Sequence, residues 1–199
     1  MRFIGITGGV GAGKSEILGY LAKKPDTRVM LADEIAHELM SNQKTGYDKI
    51  SETFGTEDIF LPQGGLDRGK LAAVIFSDEA KRRQMNAIVH PAVRVYVEKE
   101  AAREKQGGKR KLLVLEAALL IEEHYDEICD ELWYIYTRED IRRERLMASR
   151  GYSTEKVDRI FASQLTEKVY REHCRVVIDN NGSGEEAFAQ IDRALSEKK

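Results

Sequence analysis

Eight residues near the N-terminus carry the clearest chemistry in the chain: Gly8-Gly9-Val10-Gly11-Ala12-Gly13-Lys14-Ser15, a full match to G-x-x-x-x-G-K-[ST]. Glycines at these positions let successive backbone N–H groups turn inward and form a nest for an anion. A helix that begins where such a loop ends adds the positive end of its dipole. Lys14 then bridges the β- and γ-phosphates of a nucleoside triphosphate, and the Ser15 hydroxyl coordinates Mg²⁺. A glycine-rich turn without a ligand is the alternative. The context speaks against it: an apolar run, Phe3-Ile4-Gly5-Ile6, precedes the loop, and a helical pattern, Ile17, Leu18 and Leu21, follows it, as the motif requires.

Two acids follow short apolar runs. In Leu31-Ala32-Asp33-Glu34-Ile35-Ala36, Asp33 stands just past a strand, where the crevice of a parallel sheet opens. It could accept a proton from a substrate hydroxyl, hold magnesium through water, or cap a helix. Leu112-Leu113-Val114-Leu115-Glu116 has the pattern of a Walker B strand, and Glu116 is a candidate for the magnesium shell. A third group is a run of arginines, Arg138, Arg142, Arg143, Arg145 and Arg150. Arginines clamp a phosphoryl group in transfer and stack on adenine. Glu139, Asp140 and Glu144 are interleaved, so a solvated helix is the competing reading.

The elements that must position these residues alternate between short apolar runs and longer helical patterns, which predicts an α/β fold with a five-stranded parallel sheet. Buried strands are expected at 2–7, 28–31, 112–115, 132–136 and 176–178. Between the second and third lie about eighty mostly helical residues, long enough for a substrate lobe. There, Ser77 is expected to cap a helix over 77–89, and Pro91 to open another reaching about Gln106. A second insertion starts at Thr137, where Thr137 and Asp140 have capping-box spacing, and Gly151-Tyr152-Ser153 splits it into two helices. Ser183 and Glu186 form another capping box before the last helix. The expected division is a P-loop NTPase core over 1–36, 109–136 and 169–199, an acceptor lobe over 37–108, and a helical lid over 137–168.

Composition narrows the class. The chain has 199 residues, 42% hydrophobic and 33% charged, with Lys+Arg 32 against Asp+Glu 34 and a formal net charge of −2. That balance gives no electrostatic reason to expect nucleic acid or an anionic membrane as partner. Two cysteines, Cys129 and Cys174, without a CxxC, argue against a disulfide scaffold or a zinc site. No apolar stretch approaches the ~20 residues of a membrane span, and the N-terminal apolar run is too short for a signal peptide. A cytoplasmic monomer is expected.

Together these residues resemble the dephospho-CoA kinase family over nearly the whole chain. Gly-Ile-Thr-Gly-Gly-Val-Gly-Ala-Gly-Lys-Ser at 5–15 is similar to its P-loop. Ala-Asp-Glu-Ile-Ala at 32–36 is similar to its D-A-D-x-I-A segment, whose second acid, Asp33 here, serves the family as catalytic base. Gly65-Leu66-Asp67-Arg68, Phe76, Asn86 and His90-Pro91 match its CoA-lobe pattern. Leu119-Leu120-Ile121-Glu122, Arg159-Ile160 with Gln164, and Ile178-Asp179-Asn180-Asn181-Gly182-Ser183 match three further segments, the last lying near adenine in the family. The departures are Leu31 for the first acid of D-A-D, Glu116-Ala117-Ala118 for D-x-P, Glu16 for Thr, and lid arginines at an unusual spacing.

The resemblance implies ATP-dependent phosphorylation of the ribose 3′-hydroxyl of dephospho-CoA, with Mg²⁺, as the last step of coenzyme A synthesis. It implies Lys14 and Asp33 in catalysis, and Glu16, Arg142, Arg145, Arg150 and Asn180 with the loop around the nucleotide. Arg68, His90 and Glu116 are implied on the acceptor side, with Glu116 serving either acceptor or metal. A nucleoside monophosphate kinase would share the core but lack the His-Pro and I-D-N-x-G-S segments. A GTPase would need N-K-x-D, which is absent, and the only D-x-x-G, at 179–182, comes too late in the chain. A P-loop protein that binds without turnover is raised by Leu31 and Ala118.

Overall fold

The apolar runs pair side by side in an order that differs from their order along the chain. The computed structural model describes residues 1–41 and 45–197. Its strands are β1 (Arg2–Thr7), β2 (Thr27–Leu31), β3 (Leu112–Glu116), β4 (Glu131–Tyr136) and β5 (Val176–Asp179), arranged β2-β3-β1-β4-β5. The central strand β1 runs parallel to both neighbours, with Ile6 opposite Glu116 and Thr7 opposite Tyr134. β4 and β5 are also parallel, with Tyr136 opposite Asp179. The expected α/β sheet is present, and each strand matches its expected bounds to within a residue at either end.

The inner strands β3 and β4 are buried along the runs 112–115 and 131–135, as continuous apolar stretches covered on both faces should be. Full burial of the outer strands was expected and is not found. Only Met30 of β2 and Ile178 of β5 are buried. Each outer strand has a neighbour on one side only, so its flank is less covered.

The described residues form two compact units, Met1–Met30 with Glu104–Lys199, and Leu31–Arg103. The first holds the sheet, α1 (Lys14–Ala22), α6 (Glu139–Arg150), α7 (Thr154–Ala162), α8 (Glu167–His173) and α9 (Gly184–Ser196). Helix α1 buries Ile17, Leu18 and Leu21, and α9 buries Ala187, Ile191 and Ala194. Tyr20 of α1 stacks on Phe188 of α9 at 4.1 Å, and Tyr170 of α8 stacks on Tyr134 of β4 at 4.6 Å. Cys129 and Cys174 are buried in this unit, and burial pushes both thiols up to about 12. Ser183 and Glu186 form the expected capping box of α9. Gly151, at φ 61°, ends α6, and Ser153 caps α7. The expected Thr137–Asp140 box is not formed. Arg138 is the N-cap of α6 and makes no side-chain cap bond, because the Thr137 hydroxyl is buried and used elsewhere.

The second unit contains α2 (Ala32–Leu39), α3 (Thr45–Phe54), α4 (Arg68–Ser77) and most of α5 (Glu79–Gly107). Ile50, Phe54, Ile59, Leu71 and Met85 form its core. A turn between Leu61 and Leu66 places Gly64 and Gly65 at φ 90° and 93°, where a side chain would be strained. Asp67 then caps α4 by accepting from the Gly69 and Lys70 amides. His37, Met40, Leu66, Arg68, Leu71 and Ile75 are among the residues lining a cleft of about 470 Å³ in this unit.

Two expectations for this region are corrected. Ser77 ends α4 with its hydroxyl donating back to the Val74 carbonyl, and Asp78 begins α5 by accepting from the Ala80 and Lys81 amides. Pro91 does not open a helix; it lies inside α5, a helix of 29 residues. Its missing N–H removes one rung, while Met85 before it and Val93 and Val97 after it are buried and hold both halves. Residues 42–44 of the expected acceptor lobe lie outside the described residues. Among the described residues, no helix is long and apolar enough to cross a membrane.

Candidate active site

Where β1 ends at Thr7, the chain turns through 8–13 and enters α1 at Lys14. Gly11 and Gly13 take φ values of 85° and 86°, which only glycine adopts freely. Close approach is a second reason for glycine. A Cβ on Gly8 would come 2.6 Å from the Ile135 carbonyl oxygen, one on Gly9 would collide with the Arg142 guanidinium, and one on Gly13 with the Asn180 amide. The loop is therefore held between α6 on one side and the turn after β5 on the other.

The Lys14 ammonium folds back over the loop, donating to the Gly8 carbonyl at 2.7 Å and standing 3.6 Å from Glu116 Oε1. Glu116 reaches that place because β3 pairs with β1 in a register that sets it opposite Ile6. Ser15 and Glu16 are exposed in the first turn of α1, with the Glu16 carboxylate lying against Gly184. Lys14 and Glu116 thus meet over the glycine loop, and Ser15 follows in the first turn of the helix that the loop enters.

The arginine run divides by position on α6. Arg138 pairs with Asp140 at 2.7 Å, and Arg143 with Asp158 at 2.6 Å and Glu139 at 3.3 Å. Arg150 lies at the far end of the helix beside Tyr152. Arg142 and Arg145 instead face the loop. Arg142 Nε donates to the Val10 carbonyl at 2.9 Å, its Nη2 donates to Gln164, and its guanidinium lies 4.4 Å over the Phe161 ring. Partial burial holds this guanidinium below its ordinary value, so an arriving anion would replace hydration it has lost. Arg145 donates to the Asn180 carbonyl at 3.0 Å.

Asn180 is 2% exposed, and its amide donates to the Ala12 carbonyl at 2.8 Å. The Thr137 hydroxyl, equally buried, lies 3.1 Å from the same carbonyl and 3.2 Å from that of Asn180. The sequence reading missed this use of Thr137. The one available signal was its place, a hydroxyl directly after the apolar run Leu132-Trp133-Tyr134-Ile135-Tyr136.

Asp33 lies two residues past β2, exposed in the first turn of α2. Leu31 occupies the N-cap and no side chain caps it, so the capping alternative for Asp33 is set aside. Arg68 is exposed at the start of α4 and lines the 470 Å³ cleft. His90 is half-buried within α5.

A family model described as dephospho-CoA kinase matches residues 2–186. A dephospho-CoA kinase of Oceanobacillus iheyensis is 40% identical, over 96% of this chain and 95% of that protein. One from Enterococcus faecalis is 36% identical, over 99% of this chain and 97% of that protein. Among solved structures, the dephospho-CoA kinase of Campylobacter jejuni superposes with a TM-score of 0.73 over 99% of this chain and 97% of that one, at 18% identity, which speaks for the fold alone.

Proposed function

The chain belongs to the dephospho-CoA kinase family of ATP-dependent phosphotransferases, and we propose the following division of labour by which its residues phosphorylate the ribose 3′-hydroxyl of dephospho-CoA. The observation that carries it is the convergence of Lys14 and Arg142 on one glycine loop, the first from α1 and the second from α6. The loop amides take the donor phosphates, Lys14 bridges the β- and γ-phosphates, and Arg142 is the lid arginine that meets the moving phosphoryl group. Arg145 works one step back, on the Asn180 carbonyl.

The oxygen donors at the mouth fit Mg²⁺ carried in on the nucleotide. Among the described residues no group of three or more His, Cys, Asp or Glu could hold a metal by itself, and Mg²⁺ is ordinarily held by substrate phosphates and one or two protein oxygens. The Ser15 hydroxyl would hold it, with the Glu116 carboxylate nearby. When bound it neutralises charge across the β- and γ-phosphate oxygens.

Asp33 is the base in this reading. The 3′-hydroxyl proton passes to its carboxylate as the oxygen–phosphorus bond forms. The bond from Pγ to the bridging oxygen breaks, and ADP leaves with that electron pair. The insertion over 37–108 takes the acceptor, supported by its mainly apolar cleft with Arg68 for the acceptor's diphosphate. The stretch 137–168 acts as the lid that keeps water from the γ-phosphate. We place the reaction in the cytoplasm, on a monomer.

ADP release measured with dephospho-CoA, AMP, CMP and adenosine as acceptors tests the acceptor assignment. Dephospho-CoA should be used with the highest kcat/KM, and a preference for AMP or CMP overturns it in favour of a nucleoside monophosphate kinase. Within the lobe, Arg68→Ala and His90→Ala should each raise KM for dephospho-CoA by about tenfold, the loss of roughly one charge-assisted hydrogen bond, and leave KM for ATP near its starting value. The reverse pattern would show that donor and acceptor regions are exchanged.

A further inference from the structure

We propose that Thr137 and Asn180 are positioning residues that set one amide of the phosphate nest from behind. Neither is placed to touch the transferred phosphate; both are 2% exposed and both reach the Ala12 carbonyl, at 3.1 and 2.8 Å. That carbonyl lies outside the helical ladder of α1, whose first rungs from Glu16 and Ile17 end on Gly13. It is turned instead toward β4 and the turn after β5.

The consequence follows from peptide geometry. The Ala12 carbonyl and the Gly13 N–H belong to one planar trans peptide and point in opposite directions. Drawing the oxygen toward Thr137 and Asn180 therefore aims the Gly13 N–H the other way. Gly13 has φ 86°, and with no Cβ this peptide plane has little steric resistance to rotation. Something other than local sterics must hold it. The strap does so through three side chains: the Asn180 amide meets the Ala12 carbonyl at 2.8 Å, Arg145 meets the Asn180 carbonyl at 3.0 Å, and the Thr137 hydroxyl shares its single proton between those two carbonyls, at 3.1 and 3.2 Å. A buried polar network whose members satisfy one another tolerates little reorientation. The Cβ that Gly13 lacks would strike the Asn180 amide, so the loop and the strap fit only with glycine there.

This rests on the assignment of 8–15 as the donor site, and the test separates the two. Thr137→Val removes the hydroxyl and keeps the volume; Thr137→Ser keeps the hydroxyl. The expected result is a rise in KM for ATP, and in the calorimetric dissociation constant for ADP, of about tenfold in Thr137→Val. Thr137→Ser should recover most of it, and KM for dephospho-CoA should stay within about twofold of wild type in both. A packing role alone would move both KM values together, or give a serine variant no better than valine; either result overturns the proposal. If wild type itself binds no ADP, the donor-site assignment fails first. Should Thr137→Val not fold, Thr137→Ala removes the same hydroxyl and is read against Thr137→Ser in the same way.

Discussion

Lys14→Ala is expected to lower kcat by about 10³-fold or more, the loss of a charged group aimed at a transferring phosphoryl, while the circular dichroism spectrum stays unchanged. The fold should survive because the ammonium serves the loop: it bonds the Gly8 carbonyl and faces Glu116, with the side chain 16% exposed. The effect should exceed that of one lost contact. In the proposed site the Lys14 cation, 3.6 Å from Glu116, also offsets that carboxylate's repulsion of the triphosphate, and repulsion at a half-buried site is poorly screened. Lys14→Ala combined with Glu116→Gln should therefore regain part of the lost rate. Turnover of the single variant within about tenfold of wild type, the spectrum being unchanged, would remove Lys14 from the chemistry.

Asp33→Asn should cut kcat by ~10²–10⁴, the range of a general base, with little change in ATP affinity. A loose phosphoryl transfer asks for modest proton abstraction, so the lower end of that range is the minimum effect expected. The structure makes this variant more telling than sequence alone suggested. Because Leu31 holds the N-cap of α2, Asp33 contributes to the helix only through its charge near the positive end of the dipole, about 0.3–1 kcal/mol at an exposed site. Asparagine keeps the shape, so a large fall in kcat cannot be assigned to a melted helix. Glu116→Gln offers the contrast, since its effect should appear as a shifted Mg²⁺ dependence at near-normal limiting rate. If Asp33→Asn keeps more than about a tenth of kcat, below the bottom of the general-base range, the base lies elsewhere.

The strands and the glycine loop were legible because each announces itself within a few residues. The runs Leu112-Leu113-Val114-Leu115 and Leu132-Trp133-Tyr134-Ile135 need only the hydrophobic pattern, and the loop needs only its glycines and Lys14-Ser15. What failed depends on contacts remote in sequence. Thr137 has the spacing of a cap with Asp140, but a carbonyl 125 residues away wins its hydroxyl, as the burial of that position demands a partner. The lid arginines show the same limit. Spacing left Arg142, Arg145 and Arg150 open, and only the packing of α6 against Gly9 and Gly11 separates the one on the loop from the one at the helix end. Pro91 was misread because a local breaker was weighed without the buried residues that outweigh it.

The two buried cysteines have a consequence for an enzyme whose acceptor ends in a thiol. Disulfide exchange needs a thiolate that can reach its target, and both conditions fail at Cys129 and Cys174. Burial pushes each thiol up to about 12, so both stay protonated at pH 7, and both residues are buried away from attack. Oxidised acceptor or product therefore finds no handle on the folded chain. Neither buried thiol offers the folded chain a thiolate for capture as a mixed disulfide.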